Sequence, residues 1–520
     1  MTISEQLIDE QNIIVDSDDP KIIISAGPGS GKTYTIIKKA IKELKLLEEN
    51  STNKGIVLCS FTREAALELE KRLTRNIHSN FSFIGTIDSF LLTDIINPFK
   101  NRILKRIKPN SKLITTKLKI SIPPFGKHEV VNILTFQGLT EENINRVKEY
   151  YNNWILKLLS GKYEVSFAAY LFAGKALEIV PELKNYIKTR YQSIYVDESQ
   201  DLNYYQIRFI NKLIEFTGIN CYLIGDKHQS IYSFRGARPE MFYSMVNHGF
   251  VELKITHSAR CHYNILEFSR RVVGESTDTQ KLYNDSQVII DFCIAENIAQ
   301  LINFNNYFIL VEKNDDAHSI YNTCLKNGIT NIIYSKRIEL SDKSFTDNYY
   351  DILEELIKFY FNHSNKNPKL TYSIEDLRRF LSPLLDETKL SIRKLSILPH
   401  EKLIDYVIKI FKYGDVELSE EIKFEISNQM EDIVYRNYYI RVSNANRIMT
   451  IHSSKGLEAN CVFVVLTRNS FNISEETKRK LFVAFTRAKN QLFIGFLGSE
   501  ESRLEQVINQ VYQNTFDLTE

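Results

Sequence analysis

The stretch KIIISAGPGSGKTYTIIKKAIKEL, residues 21–44, carries three local signals in one short segment. A β-branched run predicts a strand, Ala26–Thr33 fits the phosphate-binding pattern G-x-x-x-x-G-K-[ST] with alanine at its first position, and apolar residues at helical spacing follow. In this order the backbone N–H groups of the turn and of the helix N-terminus converge on a polyphosphate. We therefore predict an α/β fold with a phosphate-binding loop formed by Gly27, Pro28, Gly29, Ser30, Gly31, Lys32 and Thr33.

The composition is that of a globular protein with several domains. The chain has 520 residues, of which 43% are hydrophobic and 25% charged. A net charge of +2 argues against a basic coat over the whole surface, so any nucleic-acid contact must come from local sites. The six cysteines form no C-x-x-C pair, and three lie in apolar runs that predict core thiols. An acidic N-terminus without a long apolar run predicts no membrane segment and a cytoplasmic location.

Short apolar runs, each followed by a turn or helix signal, predict two α/β lobes with parallel sheets. The predicted strands of the first lobe are KIIIS, GIVLCSF, SIYVDE and CYLIGD, and those of the second are NYFILVEKN and NCVFVVLT. Residues 91–180 are rich in Lys, Tyr and Leu and contain several prolines, which indicates a mainly helical insertion in the first lobe. Residues 365–444 are helical and charged and predict a smaller insertion in the second.

The segment IYVDESQD supplies the acidic pair that a phosphate-binding loop needs for hydrolysis. One carboxylate must hold a magnesium ion and another must take a proton from the attacking water. We expect Asp197 to hold the magnesium ion together with Thr33, and Glu198 to act as the general base. A carboxylate pair that merely opens a surface helix is the alternative.

Five further segments carry a resemblance to a known family. With FTREAALELEKRL, GTIDSF, LIGDKHQSIYSFRGA, MTIHSSKGLE and FVAFTRAK, the chain resembles the UvrD/Rep-like superfamily 1 DNA helicases over nearly its whole length. The resemblance implies two RecA-like lobes, 1A and 2A, with a helical insertion 1B and a reduced insertion 2B. The implied bounds are 1–90 and 181–250 for 1A, 91–180 for 1B, 251–364 and 445–520 for 2A, and 365–444 for 2B.

The resemblance also implies roles around ATP and Mg²⁺. Gln11 matches a residue that contacts the adenine edge, which a side-chain amide can do as both donor and acceptor. Gln229 matches the residue that senses the γ-phosphate and couples it to DNA. Two second-lobe arginines can meet the charge of the transition state only when the cleft is shut. These are Arg260 and Arg487, while Glu458 matches a ribose contact and Gly456 allows close backbone approach.

A second set of matched residues lies along the expected path of single-stranded DNA. Aromatic rings there stack on bases without reading their sequence. The family places stacking rings at Phe234 and Phe61, and Tyr232 lies on the same short segment as Phe234; a structural role in the core is the alternative for Tyr232 and Phe234. Thr62 and Thr86 match phosphate or sugar contacts. Thr450 and His452 match residues that face the DNA strand, although a lone histidine more often has a structural role.

The sequence departs from the family's pattern at three points. The family sandwiches the adenine between an arginine and a tyrosine, whereas the matching positions here hold Tyr34 and Ala259. We expect Tyr34 to take over the stacking, and weaker base recognition with Gln11 alone is the alternative. Asp88 stands in GTIDSF where the family commonly has histidine, so no base contact is assigned to it. The second insertion is also much smaller than in the larger family members.

The run KNRILKRIKPNSKLITTKLK, residues 100–119, contains no acidic residue. It is expected either to contact duplex phosphates ahead of the junction or to form a solvated face.

These features predict an ATP-dependent helicase that moves 3′ to 5′ on single-stranded DNA and unwinds duplex ahead of it. Expected partners are single-stranded and junction DNA and a separate nuclease subunit, since no nuclease signature is present. The compact build resembles helicase subunits of phage-defence systems of the Gabija type. The alternative is a DNA-stimulated ATPase switch that gates a partner without unwinding, and a metabolic P-loop kinase is a more distant one.

Overall fold

The computed structural model places two six-stranded, all-parallel sheets in an α/β architecture. The described part of the chain comprises residues 8–61, 63–74, 81–114, 119–120, 141–160, 162–163, 166–233, 236–275, 288–290, 307–326, 328, 332–334, 353, 356–358, 360–361, 405, 419–431, 446–466 and 474–496. All-parallel sheets need helices on both faces, and the helices between the strands supply them. The predicted fold class of two α/β lobes is confirmed.

The first sheet has the strand order β3-β2-β6-β7-β1-β8. Its strands are β1 (Lys21–Ala26), β2 (Gly55–Ser60), β3 (Phe83–Thr86), β6 (Tyr191–Val196), β7 (Asn220–Gly225) and β8 (Val251–Ile255). The four strands predicted from apolar runs are all present. Strand β8 pairs with β1 at Ile23↔Glu252, so the first sheet extends past the predicted lobe boundary at residue 250. The boundary between the lobes therefore moves to the loop after Ile255.

The central strands of this sheet are buried on both faces, which explains their uninterrupted apolar sequences. Ile22, Ile23 and Ile24 are each 0% exposed, and every residue of β2 is buried. The predicted core thiols are confirmed, because Cys59, Cys221 and Cys461 are buried and free. Burial raises the pKa of all three thiols. They are therefore structural residues rather than reactive ones.

Most helices of the described chain cover the first sheet. They are α1 (Asp9–Asp16), α2 (Lys32–Glu49), α3 (Arg63–Thr74), α4 (Ile87–Phe90), α5 (Asn97–Ile107), α6 (Glu141–Leu159), α7 (Phe167–Ile179), α8 (Pro181–Arg190), α9 (Tyr204–Thr217) and α10 (Pro239–Ser244). A π-helical turn, Leu91–Ile96, joins α4 to α5. A two-stranded parallel sheet, β4 (Lys119–Ile120) with β5 (Lys162–Tyr163), lies in the same region.

The predicted helical insertion, residues 91–180, is mainly helical in its described part, with the short β4–β5 pair, and shares its core with the first sheet. Trp154 on α6 is 2% exposed and packs against Phe172 on α7 at 5.3 Å between ring centroids. The same apolar cluster continues to Leu177 and to Ile194 of the first sheet. The insertion is thus held against the lobe by apolar burial.

The second sheet has the strand order β11-β12-β10-β13-β14-β9. Its strands are β9 (Val288–Ile290), β10 (Tyr307–Val311), β11 (Ile332–Tyr334), β12 (Asn446–Thr450), β13 (Ala459–Leu466) and β14 (Ala488–Phe496). The remaining helices are α11 (Tyr263–Val272), α12 (Asn314–Lys326), α13 (Glu420–Glu431) and α14 (Glu475–Phe485). Most of the predicted second insertion, residues 365–444, lies outside the described residues, apart from Asp405 and residues 419–431. No helix in the described part of the chain is both long and apolar enough to cross a membrane.

Candidate active site

The phosphate-binding loop connects β1 to α2, as the sequence predicts. Two of its glycines have positive φ angles, 66° at Gly29 and 77° at Gly31. A Cβ atom on Gly29 would lie 2.3 Å from Arg260 Cβ, and one on Gly31 would lie 2.7 Å from Gln11 Nε2. Both the backbone angle and the close approach of neighbouring segments therefore require glycine at these two positions.

Lys32 opens α2 and folds back over the loop. Its Nζ donates to the carbonyl oxygens of Ala26 and Gly27, at 3.2 Å each. Burial lowers the pKa of Lys32, while the carboxylates of Asp226, Glu198 and Asp197 act in the opposite direction. The ammonium group lies inside the loop, where a bound phosphate can replace the carbonyl oxygens as its partner.

Thr33 of the phosphate-binding loop and Asp197 of the IYVDESQD segment lie next to each other. Thr33 Oγ1 donates to Asp197 Oδ2 at 3.0 Å. Asp197 follows β6, and its N–H donates to Cys59 O of the neighbouring strand at 2.8 Å. A hydroxyl and a carboxylate oxygen this close are hard ligands of the kind that Mg²⁺ prefers. The predicted pair therefore fits a magnesium ion.

Glu198 has the left-handed backbone conformation, with φ 54°, which is uncommon for a residue with a side chain. Its Oε2 lies 3.6 Å from Lys455 Nζ. Burial alone would raise the pKa of Glu198, but Lys455, Lys32, the hydrogen bond from Gln200 and Arg487 together lower it. Burial and the Glu198 charge instead raise the pKa of Asp197. Glu198 is thus held in the ionised form, which a group that accepts a proton must have.

Gln229 connects the two lobes. It ends a short 3₁₀ helix, Lys227–Gln229, and its Nε2 donates to Asp226 Oδ2 at 2.6 Å. Its Oε1 accepts a hydrogen bond of 3.4 Å from Arg487 Nη2. Gln229 thus contacts a first-lobe carboxylate and a second-lobe guanidinium at once, which suits the sensing and coupling role that the resemblance implies.

Arg487 is 1% exposed and is held by the second lobe. Its Nε donates to Val483 O at 2.9 Å, and its Nη1 donates to Leu457 O at 3.2 Å. Burial lowers the pKa of Arg487, and the charge of Arg260 lowers it further. The guanidinium is preorganised and aimed at the first lobe, so only Nη2 reaches across to Gln229.

Arg260 packs against the phosphate-binding loop and pairs with Glu458. Its Nε donates to Glu458 Oε2 at 2.7 Å, and Glu458 Oε1 lies 2.5 Å from Lys489 Nζ. The segment before Arg260 is bonded to the loop directly. Ser258 Oγ donates to Pro28 O at 2.7 Å, and Ala259 N donates to Gly29 O at 3.0 Å. Of the two predicted second-lobe arginines, Arg260 therefore packs against the phosphate-binding loop and Arg487 contacts Gln229.

Gln11 bonds the phosphate-binding loop itself. Its Nε2 donates to Ser30 O at 3.0 Å, and its Oε1 accepts from Ile8 N at 3.2 Å. Tyr34 lies half-buried in the first turn of α2, with Lys38 Nζ 5.1 Å from the centroid of its ring. The predicted adenine contacts of Gln11 and Tyr34 stay predictions, as does the ribose contact of Glu458 beside Gly456.

The predicted DNA-facing residues form a second cluster beside the nucleotide site. The rings of Phe61 and Tyr232 are stacked, with 5.7 Å between centroids and 22° between planes. His452 lies next to them, with Nε2 3.3 Å from Ile231 O and its ring centroid 6.3 Å from that of Tyr232. Thr450 Oγ1 lies 2.9 Å from Ser453 Oγ. Predicted contacts Thr62 and Phe234 lie outside the described residues.

Two residues of the GTIDSF segment have structural partners. Thr86 Oγ1 accepts from Ser89 N at 3.2 Å and caps α4. Asp88 Oδ1 accepts a short hydrogen bond from the Tyr170 hydroxyl, which also accepts from Gln206 Nε2 at 3.2 Å. The carboxylate that replaces the family's histidine is therefore tied to α7.

The acid-free run 100–119 splits into two parts. Lys100 is 9% exposed and its Nζ donates to Asn97 O at 3.2 Å, so its side chain is not available to contact the phosphates of a DNA duplex. Lys105 and Arg106 instead line an open cavity of about 710 Å³ together with Lys175 and Lys212. Tyr151 and Leu171 also line this cavity. Arg102, Lys108 and Lys112 of the run are exposed as well, so its basic face is not limited to the cavity.

Two site residues were not predicted from the sequence, Lys455 and Asp201. Lys455 Nζ donates to Asp201 Oδ2 and to Gln229 O, the latter at 3.2 Å. Asp201 and Lys455 stand 254 positions apart. A lysine within MTIHSSKGLE and the last residue of DESQD are visible in the sequence, but nothing in their spacing indicates that they pair.

Comparisons with known proteins agree with this geometry. The profile of the UvrD/REP helicase N-terminal domain matches residues 7–164 and 138–248, and that of the UvrD-like helicase C-terminal domain matches 446–494. Gabija protein GajB of Bacillus cereus is 27% identical over 503 residues, covering 92% of this chain and 93% of that protein. ATP-dependent DNA helicase Rep of Buchnera aphidicola is 25% identical over 615 residues, covering 91% and 90%. A probable DNA helicase II homolog of Mycoplasma capricolum is 22% identical, covering 96% and 85%.

Proposed function

The chain belongs to the UvrD-like family of ATP-dependent DNA helicases, and from that premise we propose that it moves 3′ to 5′ on single-stranded DNA and unwinds duplex ahead of it. The observation that carries the proposal is the contact between Arg487 and Gln229. This hydrogen bond of 3.4 Å joins the two lobes close to the phosphate-binding loop and to the stacked pair Phe61–Tyr232. Closing or opening of the lobes can therefore change the geometry of both sites.

Hydrolysis is proposed to use the residues that the structure gathers around the loop. Lys32 binds the outer phosphates, and Thr33 and Asp197 would hold Mg²⁺, which shields phosphate charge when bound. Glu198 accepts the proton of the attacking water. Arg260 and Arg487 stabilise the charge that develops on the transferred phosphoryl group. The remaining loop residues surround the polyphosphate, Gly27, Gly29, Ser30 and Gly31 through their backbone N–H groups and Pro28, which has no N–H, as part of the turn.

The base of ATP is proposed to stack on Tyr34. Tyr34→Ala is expected to raise the KM for ATP by about 2–10-fold, because an aromatic contact of this kind is worth about 0.5–1.5 kcal/mol. Tyr34→Phe keeps the ring and should leave the KM close to that of the parent protein. Steady-state ATPase assays give both values. An unchanged KM in Tyr34→Ala would favour the alternative, in which Gln11 alone recognises the base.

Phe61 and Tyr232 are proposed to form a base-stacking pocket, with Phe234, Thr62, Thr86, Thr450 and His452 along the same strand. Phe61→Ala is expected to weaken oligo(dT) binding by about 1–3 kcal/mol, the usual range for one stacked base. Phe81→Ala is the matched control, because Phe81 is a 47% exposed phenylalanine of the same lobe. Fluorescence anisotropy measures both affinities. Equal affinities in the two variants would remove Phe61 from the DNA path.

Strand displacement tests the proposed function directly. A duplex with a 3′ single-stranded tail should be unwound with ATP, and one with a 5′ tail should not. ATPase activity that rises with single-stranded DNA while neither duplex is displaced would favour the alternative, a switch that gates a partner. ATPase activity that does not change when DNA is added would contradict both the helicase and the switch, and would favour a metabolic P-loop enzyme.

The biological setting is proposed from size and similarity. The alignment with Rep spans 615 positions although this chain has 520 residues, so Rep carries segments that this chain lacks. That difference supports the compact form with a reduced 2B insertion. Similarity to GajB over nearly the full length of both proteins supports a cytoplasmic phage-defence role with a nuclease subunit as partner. Co-purification of the tagged chain from its native host identifies that partner.

A further inference from the structure

Lys455 occupies a buried position where the nucleotide site meets the DNA-stacking pair. Its Nζ donates to Asp201 and to Gln229 O, and lies 3.6 Å from Glu198 Oε2. It also lies 4.8 Å from the centroid of the Tyr232 ring. One second-lobe side chain thus contacts the proposed general base, the γ-phosphate sensor and the proposed stacking pocket.

The ammonium group of Lys455 is charged and firmly held. Its side chain is 12% exposed and that of Asp201 is 1% exposed, so the pair is shielded from water. Burial lowers the pKa of Lys455, but Asp201 and Glu198 raise it further, so the net shift is upward. A buried ion pair of this kind is strongly destabilised when only one partner is removed. Lys455 must therefore stay close to at least one of the two carboxylates.

The stacked pair Phe61–Tyr232 leaves no room for a DNA base. Its centroid distance is 5.7 Å, whereas a ring on each side of a base needs about 7 Å, twice the roughly 3.4 Å stacking distance. An inserted base must therefore move Tyr232 away from Phe61 by more than about 1 Å. Because Lys455 packs against the Tyr232 ring and the Gln229 carbonyl, such a movement changes the surroundings of its ammonium group.

We propose that Lys455 is the positioning residue through which an inserted DNA base releases the Glu198 carboxylate for hydrolysis. With the stacking pair closed, Lys455 Nζ donates to Asp201 and lies 3.6 Å from Glu198 Oε2, which itself accepts a hydrogen bond from Gln200 Nε2. Displacement of Tyr232 moves Lys455 away from Glu198 while it stays bonded to Asp201. The Glu198 carboxylate is then open to a hydrogen bond from the attacking water. The inference rests on the proposed function and adds the side chain that links its two sites.

The test compares ATPase rates with and without oligo(dT) in paired variants. Asp201→Asn removes the competing carboxylate, so Lys455 stays at Glu198 and the DNA-stimulated rate should fall. Adding Lys455→Met to Asp201→Asn removes the restraint without leaving a buried charge. In this double variant the basal rate should rise, and the stimulation by DNA should shrink by about tenfold, which lies within the usual range of coupling between sites. Lys455→Arg keeps a cation and should retain most of the stimulation.

Two controls separate a structural role from coupling. Lys326→Met changes an exposed lysine of the second lobe and should leave both rates unchanged. Thermal unfolding midpoints show whether each variant is folded. Stimulation that survives unchanged in the folded double variant overturns the inference, and so does an equal fall of basal and stimulated rates. A parent protein whose ATPase ignores oligo(dT) instead contradicts the proposed function itself.

Discussion

Glu198→Gln is expected to lower the rate of ATP hydrolysis by about 10²–10⁴-fold, the usual contribution of a general base. Glutamine is nearly isosteric and still accepts hydrogen bonds, but it cannot take a proton from water. Since Glu198 lies beside Lys32 and Lys455, the change also removes one negative charge that faces two cations. Nucleotide binding should therefore persist or strengthen while turnover is lost.

Single-turnover hydrolysis and nucleotide binding measured on the same preparation separate these effects. Glu48→Gln provides the control, because Glu48 is an exposed carboxylate on α2, the helix that carries Lys32. Its rate should match that of the parent protein. If Glu198→Gln retained more than about one tenth of the parent rate, another group would have to accept the proton, since even a modest general base contributes about 10².

The sequence predicted the central strands because they are buried on both faces. Ile22–Ile24 and the GIVLCS strand are continuous apolar runs, and such runs identify parallel strands without further information. The edge strand β8, VELKI, was missed for the opposite reason. It has one neighbour, and Val251 and Glu252 are exposed, so its sequence carries no apolar run. This is why the predicted lobe boundary fell one strand too early.

The site could be predicted where local motifs fix the geometry. Asp197 was expected near Thr33 because a strand end and a phosphate-binding loop lie on the same edge of a parallel sheet, and their side chains are 3.0 Å apart. Contacts between the lobes could not be predicted in this way. The bonds from Arg487 to Gln229 and from Lys455 to Asp201 join distant segments whose approach depends on how the lobes pack.

The surroundings of Arg487 decide which substitution tests it best. Its guanidinium is fixed by two backbone carbonyls of its own lobe, and only Nη2 reaches Gln229. Arg487→Ala would leave those carbonyls without a partner and create a cavity at a fully buried position, which destabilises the lobe as well. Lysine keeps the charge and much of the volume but has no planar guanidinium. It therefore cannot donate to the carbonyl oxygens of the second lobe and to Gln229 of the first lobe at the same time.

Arg487→Lys is therefore expected to reduce ATP hydrolysis by about 10³-fold or more, the lower end of the effect of an arginine that stabilises a phosphoryl-transfer transition state. The KM for ATP should change far less than kcat, because the missing bond forms mainly in the transition state. Arg102→Lys is the matched control, since Arg102 is exposed on α5. Equal unfolding midpoints would show that the lobe is intact. If the folded Arg487→Lys variant kept a kcat within about tenfold of the parent, the charge alone would suffice, and the preorganised fork of Arg487 would have no part in catalysis.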